Sequence, residues 1–153
     1  MNREIIYRGK RFDRDEWIYG FYVESTRSWN GGHPHKSWIL DSPFTNGGWF
    51  ALQRRLPVKD DTVGQYTGLK DIKGNRIFEG DIVTDAISKG KPFGVITWHH
   101  DGYFFIDADF GKKPQYNHSY TPLGEMLRVK ISGRPIEIEV MGNIHDNKDL
   151  IEK

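Results

Sequence analysis

Apolar and polar residues alternate along most of this chain with a period of two, the spacing that places every second side chain on one face of a β-strand. From Glu16 to Val23, Trp17, Tyr19, Phe21 and Val23 share one face. Ile18 and Tyr22 fall on the other, which predicts a strand partly covered on both sides. Ile5-Ile6-Tyr7 predicts a short strand before it, with residues 8–15 as the connection. Ser37-Trp38-Ile39-Leu40, Trp49-Phe50-Ala51-Leu52, Ile82-Val83, Gly94–Trp98 and Tyr103–Ile106 follow as strands. His99-His100-Asp101-Gly102 is then a four-residue hairpin connection between the last two. Ile136, Ile138 and Val140 alternate with Glu137 and Glu139, the pattern of a half-buried strand with a charged outer face.

Helix signals are few. Thr121-Pro122 predicts a short helix, with Thr as its cap and Pro in its first position. Asn147 predicts the cap of a last turn through Leu150 and Ile151. Asp71-Ile72-Lys73-Gly74-Asn75 reads as a turn in which Gly74 takes positive φ. Residues 25–48 carry Asn-Gly-Gly-His-Pro-His and a second Asn-Gly-Gly, and within them 25–36 reads as a surface loop.

Composition sharpens this picture. The chain has 153 residues, enough for one domain or two small lobes. Aromatic residues make up 14% of it, and large rings offset a shortage of aliphatic residues in the core. Seventeen Gly and seven Pro, spread along the whole length, suit many short strands better than long helices. The chain has no cysteine, which excludes disulfides, thiolate metal sites and cysteine nucleophiles. The N-terminal residues lack the apolar stretch of a signal peptide, and no apolar run approaches membrane-spanning length, so the expected address is the cytoplasm. A net charge of +1 argues against nucleic-acid binding driven by bulk charge. Its division, +4 over residues 1–76 and −3 over residues 77–153, fits an ordinary solvated surface.

Three stretches together resemble a known family. Tyr7-Arg8-Gly9-Lys10-Arg11 with Glu16-Trp17-Ile18-Tyr19-Gly20 opens the chain. Thr62-Val63-Gly64-Gln65-Tyr66-Thr67-Gly68-Leu69-Lys70-Asp71, continuing to Ile77-Phe78-Glu79-Gly80-Asp81-Ile82-Val83, stands at its centre. Val140-Met141-Gly142-Asn143-Ile144-His145-Asp146-Asn147 lies near its end. These residues look like those of the YopX family of phage and prophage proteins, over nearly the whole chain. One departure is Lys148, where the family often has Pro after the Asp-Asn pair. The resemblance implies a mainly-β fold with an SH3-like barrel, encoded by a phage or prophage. It implies no catalytic residues. A Gly-containing turn before an apolar strand at Glu79–Val83 is also what a small barrel needs at its sharp corners.

The side chains suited to chemistry form weak constellations. His33-Pro34-His35 sets two imidazoles two residues apart, a pair that chelates zinc if a third ligand joins. A Gly-flanked surface loop explains the same residues without a metal, and that explanation is preferred. His99, His100 and Asp101 are a second candidate. Neighbouring strand residues point to opposite faces, so the two histidines share a metal only if the turn breaks the alternation. Glu79 and Asp81 pair two carboxylates, but Asp81 accepting N–H groups of its own turn is the simpler role. No Gly-x-Ser-x-Gly or P-loop sequence is present. Arg3, Arg8, Lys10, Arg11 and Arg14 lie near Tyr7, Phe12 and Trp17, a mixture able to grip a single strand of nucleic acid. Glu4, Asp13, Asp15 and Glu16 in the same stretch halve its field, and a charged hairpin surface is the preferred explanation.

The expected architecture is mainly β: an SH3-like barrel with additional N-terminal strands and a short C-terminal helical turn. It is one domain over 1–153, with an N-terminal β region to residue 60 carrying the long loop at about 25–48, and the barrel region over 61–153. The expected function is that of a non-enzymatic accessory protein of a phage or prophage. It binds a protein or nucleic-acid partner, with Arg8, Lys10, Arg11 and Trp38 as the candidate contact residues. No cofactor, catalytic residue or membrane association is expected, and self-association through exposed rings is a further expectation. The competing reading is a small metal-dependent hydrolase built on His33, His35, His99, His100 and Asp101.

Overall fold

Short β-branched and aromatic runs, each closed by Gly, Pro, Asn or Asp, leave this chain with little to build except short antiparallel strands. The structure, a computed structural model, describes residues 4–24, 36–40, 55–85, 90–108, 122–128, 130, 131 and 133–152. His33, His35, most of the 25–48 loop, the Trp49–Leu52 strand and Thr121 lie outside the described residues. The chain divides into two compact units, Met1–Tyr66 and Thr67–Lys153.

The first unit is an antiparallel sheet. It contains β1 (Tyr7–Lys10), β2 (Trp17–Glu24), β3 (Ser37–Leu40), β4 (Arg55–Val58) and the first residues of β5 (Gly64–Lys70), in the order β4-β3-β2-β1-β5. Its first strand begins at Tyr7 and includes Arg8 and Gly9, which the sequence reading assigned to a connection. Both are buried in the sheet. Their charge and small size misled the reading: Gly9 is where the Val58 side chain crosses, 3.0 Å from the position of a Cβ. Gly20 is packed more closely, since a Cβ there would lie 1.9 Å from the Leu40 carbonyl oxygen.

Register assigns the faces of this sheet. Tyr19 stands opposite Arg8, Phe21 opposite Leu40, Val23 opposite Trp38, and Leu40 opposite Arg55. Directly opposed residues share a face, so all of these belong to one side with Trp17 and Lys10. The other side carries Tyr7, Gly9, Gly20, Tyr22, Ile39 and Val58, and there Ile39 and Val58 are each 1% exposed. Tyr7 and Tyr22 pack as diagonal neighbours on that side, with ring centroids 5.4 Å apart. A 3₁₀ turn at Asp60–Thr62 joins β4 to β5. Thr62 fastens it by donating to the Lys59 carbonyl at 2.7 Å and accepting the Lys10 N–H at 2.9 Å.

The second unit takes up β5 after Tyr66, with β6 (Arg76–Phe78) beside it. Its four-stranded sheet contains β7 (Asp81–Asp85), β8 (Gly94–His99), β9 (Tyr103–Asp107) and β12 (Ile138–Asn143), in the order β12-β7-β8-β9. A small pair, β10 (Lys130–Ile131) with β11 (Arg134–Pro135), precedes β12. The core is Ile77, Val83, Ile96, Phe104 and Ile138 together with Leu123 of the one-turn helix α1 (Leu123–Met126). Among the described residues β12 and β9 do not pair, so the sheet is open. The structure shows a mainly-β chain of antiparallel sheets that do not close among the described residues.

Turns in this unit are built by side chains of the central and C-terminal family-like stretches. Thr67 donates to the Ile77 carbonyl at 2.9 Å. Asp81 accepts the Phe78 N–H at 2.8 Å, as its turn requires, while Glu79 is half-buried. Asp71 accepts from the N–H groups of Lys73 and Asn75 and from the Asn75 side chain, around a turn in which Gly74 has φ 85°. The same carboxylate accepts the Val140 N–H at 3.2 Å, and Ile72 N–H donates to the Ile138 carbonyl at 3.1 Å. The 71–75 turn thereby covers the outer edge of β12, which would otherwise expose unpaired backbone groups. Beyond a bulge between Val140 and Gly142, Asn143 accepts the N–H groups of His145 and Asp146. Asn147 does not cap the final 3₁₀ turn Lys148–Leu150 as expected; its side-chain oxygen accepts the Asn143 N–H at 3.1 Å instead.

Candidate partner-binding face and histidine turn

The outer side of the N-terminal sheet is the most chemically distinctive surface among the described residues. Along β2, Tyr19, Phe21 and Val23 are 50%, 38% and 44% exposed. Such a row of large apolar side chains on one strand is more than the scattered exposed residue that needs no explanation. Guanidinium groups lie over the tryptophans of the same face. The Arg8 group is 4.9 Å from the Trp17 ring centroid and the Arg55 group 4.6 Å from that of Trp38. Both are diagonal cross-strand neighbours, within range of a cation–π contact.

Of the four residues expected to touch a partner, Arg8 and Trp38 are buried at 7% exposure each. Lys10 is half-buried and 2.5 Å from the Asp15 carboxylate. Arg11 donates through two nitrogens to Asp13, at 2.8 and 2.7 Å, and lies 3.7 Å from Glu16. That contact holds the Asp13 carboxyl below its usual range and raises the guanidinium further. These residues build and brace the face, while Tyr19, Phe21, Val23 and the exposed Arg55 present it. Sequence reasoning placed Tyr19, Phe21 and Val23 together but gave no role to Arg55. The available signal was the aromatic alternation of β2; the missing one was the register that sets Arg55 opposite Leu40.

The histidine turn lies at the tip of the β8–β9 hairpin. There the turn does break the strand alternation, and the His99 and His100 rings meet with centroids 4.0 Å apart. One donor atom from each of His99, His100 and Asp101 lies within 4.8 Å of the others. His99 is also stacked on Tyr103, at 4.8 Å and 15°, and its Nδ1 accepts the Asp101 N–H at 3.3 Å. Those contacts account for its position as part of the hairpin. A structural zinc site takes four protein ligands and a catalytic one at least three, held by a second shell. Here His100 and Asp101 are exposed, and no fourth donor joins them among the described residues. Untagged protein purified without chelator and dialysed is expected to hold well under one zinc per chain by mass spectrometry. A stoichiometric zinc lost in His99→Ala would contradict this.

A shallow cleft of about 270 Å³ lies in the second unit, bordered by Ile72, Thr84, Asp85, Glu137 and Glu139. Lys73 pairs with Glu139 at its rim and is raised by that contact. The cleft gathers like charges without a nucleophile or a converging donor set, and nothing in it indicates hydrolysis. No helix among the described residues is long and apolar enough to cross a membrane.

The family model described as YopX protein covers residues 7–152. Among curated proteins none matches the sequence.

Proposed function

From the premise that this chain belongs to the YopX family, we propose that it is a non-enzymatic binding module whose partner docks on the outer face of the N-terminal sheet. The observation that carries this reading is the row of exposed Tyr19, Phe21 and Val23 on β2. Interfaces are enriched in aromatic and arginine side chains at their centres, and both kinds occur here on a rigid strand rather than a loop. The residues of the family-like stretches support the same reading from the other direction. Thr67, Asp71, Asp81, Asn143 and Asn147 hold turns together, which gives these side chains structural roles.

The proposal includes a phage or prophage origin, action in the cytoplasm of the bacterial host, and the behaviour of the two units as one YopX-like domain. It also includes an SH3-like descent of the second unit. There β7, β8 and β9 form a meander and β12 returns beside β7, a strand succession compatible with such a barrel that has remained open.

Affinity capture from host cells tests the reading. The wild-type chain is expected to retain a specific partner that Tyr19→Asp/Phe21→Asp loses, while His100→Ala keeps it. Both substitutions in β2 are at exposed positions, so circular dichroism and the thermal midpoint should change little. Equal capture by wild type and the double variant would contradict the assignment of this face.

A further inference from the structure

We infer that the occupant of the β2 face is a single strand of nucleic acid. This rests on the binding-module reading and gives the partner its chemistry. Two features favour it over other occupants. The first is spacing. Tyr19 and Phe21 are alternate residues of one strand, so their side chains recur about every 6.8 Å. That is roughly twice the 3.4 Å step of a strand within a duplex. Bases drawn apart along an extended strand can therefore lie one on each ring. Stacking of this kind accepts any base, because each has a π-face.

The second feature is the division of charge between the faces. The charged strand residues on this side are Arg8, Lys10 and Arg55. Glu24, the acid in β2, lies on the other side, 3.0 Å from Lys36. Asp15 offsets Lys10, so the phosphate contact falls to the exposed Arg55, which is already oriented by the Trp38 ring.

Fluorescence anisotropy with labelled oligo(dT) and oligo(U), each of about twelve nucleotides, tests the inference on the full chain. At low salt the wild type is expected to bind with a dissociation constant of about 10⁻⁴–10⁻⁶ M. Tyr19→Ala/Phe21→Ala should weaken binding about tenfold or more. Phe21→Trp should retain it, which separates loss of stacking from a damaged sheet. Arg55→Ala should flatten the dependence of log K on log salt by about 0.7. Absence of oligonucleotide binding, binding unchanged in the double alanine variant, or tighter binding of a duplex of the same length would each overturn the inference. If oligonucleotides fail while nuclease-resistant capture is still lost in Tyr19→Asp/Phe21→Asp, the partner is a protein; the single-strand inference falls and the binding-module reading stands. If capture and oligonucleotide binding both fail, both fall.

Discussion

Replacing Asp71 by Ala is expected to destabilise the second unit by about 3 kcal/mol at pH 7, because several hydrogen-bond donors then lose their acceptor together. The carboxylate accepts two N–H groups and a side-chain amide within its own turn, and the Val140 N–H at the edge of β12. Asp71→Asn keeps the shape but turns a donor toward donors, so it should lose nearly as much. The effect depends on pH with a definite sign. Burial alone pushes the Asp71 carboxyl up, but the Asn75 side chain and the N–H groups of Asn75, Val140 and Lys73 outweigh it and hold the group below its ordinary value. A carboxyl lowered by folding contributes stability that is fully present above its unfolded value, about 3.9, and is lost as pH falls through the lower folded value. Urea midpoints of wild type and Asp71→Asn should therefore differ by a constant amount from pH 7 to about pH 5 and converge below about pH 4. A gap that widens in acid would show that the carboxylate is not the stabilising form.

Gly20→Ala should be comparably damaging to the first unit, by about 3 kcal/mol, at the upper end of what overpacking usually costs. The added methyl would meet the Leu40 carbonyl oxygen at 1.9 Å, and that oxygen belongs to the backbone of β3 rather than to a side chain able to swing away. Relief requires β2 and β3 to separate, which would also disturb the face formed by Tyr19 and Phe21 on either side of the glycine. Gly124→Ala is the control. It lies in α1 with nothing within 4 Å of a new Cβ, and it should be neutral or slightly stabilising. Denaturant titration of both variants, followed by far-ultraviolet circular dichroism, measures the contrast. Equal midpoints for the two would remove the close approach at Gly20.

Strand positions were legible in the sequence where alternation and turn residues agreed. Ser37–Leu40 and the hairpin flanking 99–102 are found where the pattern places them. Phe104 and Phe105 are buried, with Tyr103 half-buried. Ile82, Val95 and Ile138 are also buried, whereas Trp98 on the same strand as Val95 is 42% exposed and packs edge-on against Phe104 at 4.7 Å. Period alone says that two residues share a face, not which face meets the core. The same ambiguity hid the candidate site. The β2 row reads equally well as core or as surface until the register with β1, β3 and β4 is known. Local hydrogen-bonding chemistry was clearer at Asp71 and Asp81, whose short side chains can reach only nearby N–H groups. At Asn147 it misled, because the bulge at Gly142 brings a more distant donor within reach. The helix α1 (Leu123–Met126) begins one residue later than the Thr-Pro pair suggests, with Pro122 at the cap position and Leu123 driven into the core.

The central claim is that the β2 face is occupied in the cell, and photo-crosslinking from that face tests it most directly. A benzophenone amino acid at position 21, where Phe21 is exposed, should yield a discrete adduct in host cells. The same group at position 72, where Ile72 is 55% exposed on the second unit, should yield none. Adducts from position 72 without any from position 21 would contradict the account.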